Sequence, residues 1–132
     1  MVNNLRKTLA KLRLKELEMI DRLSDGNGKF YVIRCEIDPN TLQFKAVNGD
    51  WERVTGFTES QCVGKEWPKF LQEEDRDKAL KISEKARSSN EFESSEYDLI
   101  KSSGEIVHVR WKSKYYATIG SILSIGKIPI QG

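Results

Sequence analysis

Between Val47 and Gly64 the chain reads VNGDWERVTGFTESQCVG, and no other stretch constrains the fold as much. It sets out two one-turn helices with their start and stop signals at fixed offsets. Asn48 and Asp50 are helix-start residues ahead of Trp51, and Gly56 stands where a helix end calls for a residue tolerant of the left-handed conformation. Thr58 and Gln61 have the spacing of a capping box, in which each side chain satisfies a backbone donor of the next short helix. Gly64 closes that helix in turn.

Around this stretch the apolar pattern alternates. From Lys29 to Asp38, Tyr31, Ile33, Cys35 and Ile37 share one face while Arg34, Glu36 and Asp38 share the other, which predicts a half-buried strand. Asp38-Pro39-Asn40 supplies a turn, so Leu42 to Val47 is expected to return as a second strand. Glu73 to Asn90 predicts a helix with acidic residues in its first turn and a narrow line of small apolar residues, Ala79, Ile82 and Ala86. Phe92 to Lys101, Gly104 to Tyr116 and Ser121 to Gln131 are three further strands. Parity puts Val107, Val109 and Trp111 on one face and Ile106, His108 and Arg110 on the other, without saying which is inside. Five antiparallel strands with helices on one face make an α+β arrangement.

Residues 1–25 predict an amphipathic, coiled-coil-like helix. Leu5, Leu9, Leu12, Met19 and Leu23 form a heptad seam interrupted by Glu16, while Leu14, Leu17 and Ile20 widen the stripe. About three heptads is marginal for an independent coiled coil. The helix either pairs with a second chain or folds back on its own domain, and the two are compatible. Asp25-Gly26-Asn27-Gly28 ends it with a flexible joint, leaving residues 26–132 as the domain proper.

The order of Asn48, Trp51, Gly56-Phe57, Glu59 and Gly64, followed by Glu73-Glu74-Asp75-Arg76, resembles the PAS sensory-domain family. The likeness extends through Glu96-Tyr97 and Gly104 to about residue 130. Asp98 stands where many members carry arginine, and Ile128-Pro129-Ile130 replaces the usual aspartate-isoleucine-threonine ending that couples the last strand to a following helix. The resemblance implies strand order 2-1-5-4-3 and a sensory pocket between sheet and helices. It implies a pocket lining of Cys35, Phe44, Trp51, Phe57, Trp67, Phe70, Leu71, Ala79, Ile82, Ala86, Tyr97, Val109 and Trp111. It also implies a signalling role, exercised through an output domain or a partner signalling protein, while the heptad pattern itself makes the Leu5, Leu9, Leu12, Met19 and Leu23 seam the expected contact of a homodimer.

The occupant of such a pocket is not named by the sequence. The light-sensing branch carries a reactive cysteine just after the second short helix, where this chain reads GKEWPKFLQ, and Cys62 precedes that segment as a small buried hydrophobe. Haem-binding members usually ligate iron from the long helix, which holds no histidine here, and a lone strand histidine, His108, lacks the converging donors of a metal site. Trp51, Trp67 and Trp111 leave non-covalent flavin open as a cofactor, beside a small metabolite or a filled core that serves only for docking. Cys35 and Cys62 give no metal spacing. No phosphate loop, serine elbow or metal helix is present, so no catalysis is expected.

Composition sets the remaining bounds. The 132 residues fall in the single-domain range, and 22 basic against 20 acidic residues, net +2, argue against nucleic acid or a membrane as partner. With no signal peptide or apolar span in view, a reducing cytoplasmic setting is expected.

Overall fold

The computed structural model describes Lys11, Leu14, Lys15, residues 29–89 and residues 91–130. The proposed pairing residues Leu5, Leu9, Leu12, Met19 and Leu23 lie outside the described residues.

Strand β1 (Phe30–Ile37) and β2 (Phe44–Gly49) form the first hairpin. Two one-turn helices follow, α1 (Trp51–Thr55) and α2 (Glu59–Cys62), then a 3-10 helix (Trp67–Phe70) and the long helix α3 (Glu73–Ser89). Strands β3 (Glu93–Ile100), β4 (Ile106–Tyr116) and β5 (Ser121–Pro129) complete the chain. The sheet is antiparallel throughout and its order is β2-β1-β5-β4-β3, as the resemblance implied.

The Val47–Gly64 stretch folds largely as its local signals predict. Thr58 and Gln61 make the capping box in both directions. Gly56 ends α1 at a φ of +79°, and there a Cβ would also run into the Ser102 side chain, so the position excludes other residues on two counts. Two details differ. Asn48 belongs to β2 rather than to a helix start, and the Asp50 side chain caps nothing. Instead Val32 N–H donates to Asp50 Oδ2 at 3.0 Å, so this carboxylate pins α1 to the first strand. The second strand also begins two residues later than expected, because Leu42 takes a left-handed conformation, φ +63°, inside the turn.

Strand parity holds, and burial identifies the inside. Ile33, Cys35 and Ile37 of β1, Tyr97 and Leu99 of β3, Val109 and Trp111 of β4 and Ile122 of β5 meet Trp51, Val54, Trp67, Leu71 and Ala79 in one apolar core. Each such side chain, fully buried, contributes on the order of 1.5–3 kcal/mol. The helix line is small where it touches the sheet: Ala79 and Ala86 are fully buried, while Ile82 is half-buried. Gly126 on β5 serves the same close packing. A Cβ there would sit 2.7 Å from Val109 Cγ1 and 2.9 Å from both Ile33 Cγ1 and a Trp111 ring carbon, so glycine is what lets the indole lie across the central strand.

The opposite face of the sheet carries a second, smaller cluster in which Leu14, Tyr116, Ile119, Leu123 and Ile125 are buried together, with Val32 and Phe92 beside them. Leu14 therefore packs on the chain's own sheet.

Candidate functional site

Between the inner face of the sheet and α3 lies a cavity lined by Cys35 and Ile37 of β1, Phe44 of β2, Trp51, Trp67, Ile82, Ser83 and Ala86 of the helices, Tyr97 and Leu99 of β3, Trp111 and Ser113 of β4, and Ile122 and Ser124 of β5. The cavity has a volume of about 30 Å³, room for two or so waters. Each of the five strands named above and three of the four helical segments between Trp51 and Ser89 contribute to it, so the site draws on most of the described fold.

Aromatic rings frame it. Phe44 packs edge-on against Trp51 at 5.3 Å and against Phe70 at 5.5 Å between centroids, and Phe57 meets Phe70 at 5.2 Å. On the other side Tyr97 lies between Trp67, 5.8 Å away, and Trp111, 6.4 Å away. The edge-to-face pairs among Phe44, Trp51, Phe57 and Phe70 contribute roughly 0.5–1.5 kcal/mol each beyond their buried area.

The polar groups are few. Ser113 and Ser124 share a hydrogen bond of 2.7 Å between their hydroxyls. Burial pushes the Cys35 thiol up to about 12, against a hydrogen bond with Ser124 that pulls the other way, so at neutral pH it is a thiol and not a nucleophile. Burial also raises Tyr97, whose hydroxyl accepts from Ser95 at 3.1 Å. Trp51 Nε1–H donates to Cys62 Sγ at 3.3 Å; Cys62 is fully buried and its thiol is raised by that burial. By contrast, Nε1 of Trp67 and Nε1 of Trp111 are buried without an acceptor among the described residues.

Of the residues expected to line a pocket, Cys35, Phe44, Trp51, Trp67, Ile82, Ala86, Tyr97 and Trp111 surround the cavity. Leu71, Ala79 and Val109 are buried in the same core without reaching the cavity wall, and Phe57 and Phe70 pack against that core from outside. Ile37, Leu99 and Ile122 belong to the lining but were not foreseen, although parity with Cys35, Tyr97 and Ser124 places them on the inner face. Ser83, Ser113 and Ser124 were missed because serine carries no burial signal of its own.

His108 is on the opposite face. Its Nδ1 is 2.7 Å from Asp98 Oδ1 and its Nε2 is 3.2 Å from Glu96 Oε1, and the two carboxylates raise its pKa above the usual value. It makes no contact with the cavity. A three-ring flavin is far larger than the cavity, so the residues present do not fit an isoalloxazine ring in this packing. No group of residues suited to a metal ion occurs among the described residues, and none of their helices is long and apolar enough to cross a membrane.

Solved structures share this architecture at low sequence identity. The PAS-B domain of Drosophila melanogaster Cycle with bound ethylene glycol superposes with a TM-score of 0.67 at 11% identity, covering 73% of this chain and 98% of that one. The PAS domain of the Cronobacter turicensis quorum-sensing receptor RpfR in complex with BDSF gives 0.62 at 12% identity, over 81% of this chain and 99% of that one. The N-terminal domain of a Marinobacter aquaeolei diguanylate cyclase with a PAS/PAC sensor gives 0.58 at 16%, over 74% and 92%. A sequence search of curated proteins finds no match. The sequence profile of the PAS fold matches residues 44–126, from the start of β2 into β5, which is more than half of the chain, and the chain therefore belongs to the PAS fold family.

Proposed function

We propose that the chain is a sensory input module in which a small molecule in the cavity shifts the packing of the sheet and the shift passes to the N-terminal segment. One observation carries this reading. Strand β5 lines the cavity with Ile122 and Ser124 and packs against Leu14 on the other face with Leu123 and Ile125. The alternating residues of a single central strand thus touch both the occupant and the segment that leaves the domain. Transmission requires the ligand to bind one arrangement of β5 better than the other, since equal affinity shifts nothing.

The similar domains support ligand occupancy: RpfR binds BDSF and the Cycle domain holds ethylene glycol in the corresponding fold. The module has no catalysis of its own in this reading, and it acts through an output domain or a signalling partner, with the Leu5, Leu9, Leu12, Met19 and Leu23 seam pairing two chains in a cytoplasmic setting. The small size of the cavity favours a second reading, a docking module whose pocket is filled core.

Native mass spectrometry and an absorbance spectrum of freshly purified protein separate the two. Added mass in the folded state supports the sensor, and visible absorbance would mean a chromophore and a wider pocket. A bare mass together with no response to any small-molecule library would leave the docking reading. The same spectra report pairing: charged replacements at Leu12 and Met19 are expected to turn a dimer into a folded monomer, and an unchanged mass would remove the seam from the account.

A further inference from the structure

We propose that the seam between α3 and the start of β3 is the door through which the cavity exchanges its occupant, and that Glu93 is the latch; this rests on reading the cavity as a ligand site. All of the 14 lining residues are buried except Ile82 and Ser83, neighbours on α3, so the cavity comes nearest to solvent there. The same wall is the one with least to hold it. Helix α3 buries only Ala79 and Ala86, with Ile82 half-buried, whereas the other walls bury tryptophan, phenylalanine and isoleucine. Local opening begins where the least apolar contact is given up.

Polar contacts close what apolar burial leaves loose. Lys78, Ile82, Lys85 and Ser89 follow one another at four-, three- and four-residue steps and so form a single stripe along α3, and the three polar members reach β3. Lys78 Nζ donates to the Glu96 carbonyl at 3.1 Å and lies 6.0 Å from the centre of the Tyr97 ring. Further along, Ser89 Oγ donates to Glu93 Oε1 at 3.1 Å, and Lys85 Nζ lies 3.6 Å from Glu93 Oε2. Ile82 stands between these two clasps. Strand parity puts Glu93 on the inner face of β3 with Tyr97 and Leu99, and its register partner is Ser113 of the cavity wall. The Glu93 side chain is 14% exposed, against 71% for Lys85. A carboxylate this shielded requires its donors, and both of the donors named here belong to α3. Losing them frees the second half of the helix, which carries Ser83 and Ala86 of the lining.

The chain carries its own reporter. Both cysteines are buried thiols, but Cys35 lines the cavity whereas Cys62 does not. The full chain is alkylated with iodoacetamide under native conditions, and the rate at each cysteine is read by peptide mass spectrometry. No ligand is needed, so the result bears on the door alone and leaves occupancy of the cavity to native mass spectrometry. Glu93→Gln is expected to speed alkylation of Cys35 about fivefold, the scale of one lost hydrogen bond, and that of Cys62 by less than about twofold, because opening is local. Ser89→Ala should act in the same direction, and it carries the test where the Glu93 variant fails to fold. Equal acceleration at both cysteines would overturn the door, since the latch would then only stabilise the domain as a whole. No acceleration at Cys35 in either variant would overturn Glu93 as the latch.

Discussion

The inner and outer faces of the sheet are both buried, but by different chemistry. On the inner face Ile33, Val109, Trp111 and Ile122 meet the helices in a core that is apolar apart from a pair of serines. On the outer face Leu123 and Ile125 lie beside Glu36, Ser121 and Lys127, all of them buried as well. The Ser121 hydroxyl donates to Glu36 Oε2 at 2.6 Å while Lys45 Nζ donates to Ser121 Oγ at 2.8 Å. Lys127 Nζ lies 5.1 Å from the centre of the Phe30 ring. An apolar wall suits a site for a neutral occupant. A buried network of charges and hydroxyls suits a surface where one register of packing must be favoured over others, because each polar group has to find its partner. The contrast fits the proposed division of labour, with reception on one side of β5 and coupling on the other.

The sharpest way to break this division is to remove the inner wall. Trp111→Ala is expected to cost about 3–5 kcal/mol of stability, the range for deleting a buried aromatic residue, measured as the shift of the urea midpoint. A loss under about 1 kcal/mol would mean that the indole is not part of a packed core. On the outer face Leu14→Ala is expected to cost about 2 kcal/mol, at the low end for a buried leucine because Leu14 is 9% exposed. It should also change the affinity of the cavity for its occupant, because coupling between two sites is reciprocal. Unchanged stability in that variant would detach the Leu14 segment from the sheet and remove the route by which β5 passes a signal.

How much of this was legible in the sequence depended on the range of the interaction. The Thr58–Gln61 capping box and the Gly56 stop are local, and both were readable from the letters. The alternation of β1 and β4 was equally plain, because period two is a property of any strand. Asp50 does stand at the N-cap of α1, as expected, but its side chain caps nothing; it accepts instead from the Val32 N–H, 18 residues upstream, which no local signal shows. Glu36 and Lys127 look like solvent-facing residues in any strand pattern; their burial depends on what covers the outer face, and Leu14 is remote from both in the chain. The cavity itself was implied by family resemblance through its aromatic residues. Its serines, and the lack of acceptors for two of its indoles, exist only once the strands are in register.

A finer probe of the outer face is Ser121→Ala, which deletes the hydroxyl between Glu36 and Lys45. About 1 kcal/mol is expected, the net worth of an ordinary buried hydrogen bond or somewhat more where a charge is involved. The loss should be smaller in Glu36→Gln/Ser121→Ala than the sum of the single changes, since both act on one contact. Strict additivity in that double-mutant cycle would show that the two residues are not coupled and would weaken the case for an ordered polar register on this face.

The smallest effect belongs to His108, at the exposed margin of the outer face, and its sign can be worked out. Hydrogen bonds to Asp98 and then to Glu96 hold the imidazolium and raise its pKa above the ordinary 6.5. The folded state therefore binds this proton more tightly than the unfolded chain does. The stabilisation is fully present below the unfolded value and is lost as pH rises through the folded value. The side chain is 60% exposed, and solvent and salt screen such a pair strongly, so the urea midpoint should barely move across neutral pH even though an NMR titration is expected to place the His108 pKa above 6.5. Asp98→Asn should bring it back toward that value, and added salt should do so in part. A titration at or below 6.5 in the unaltered chain would show that the carboxylates do not hold the ring in solution. The cross-strand Asp98–His108 pair would then be only a register neighbour, and the outer face would keep its buried Glu36 and Lys127 as its charged contribution to the contrast with the inner wall.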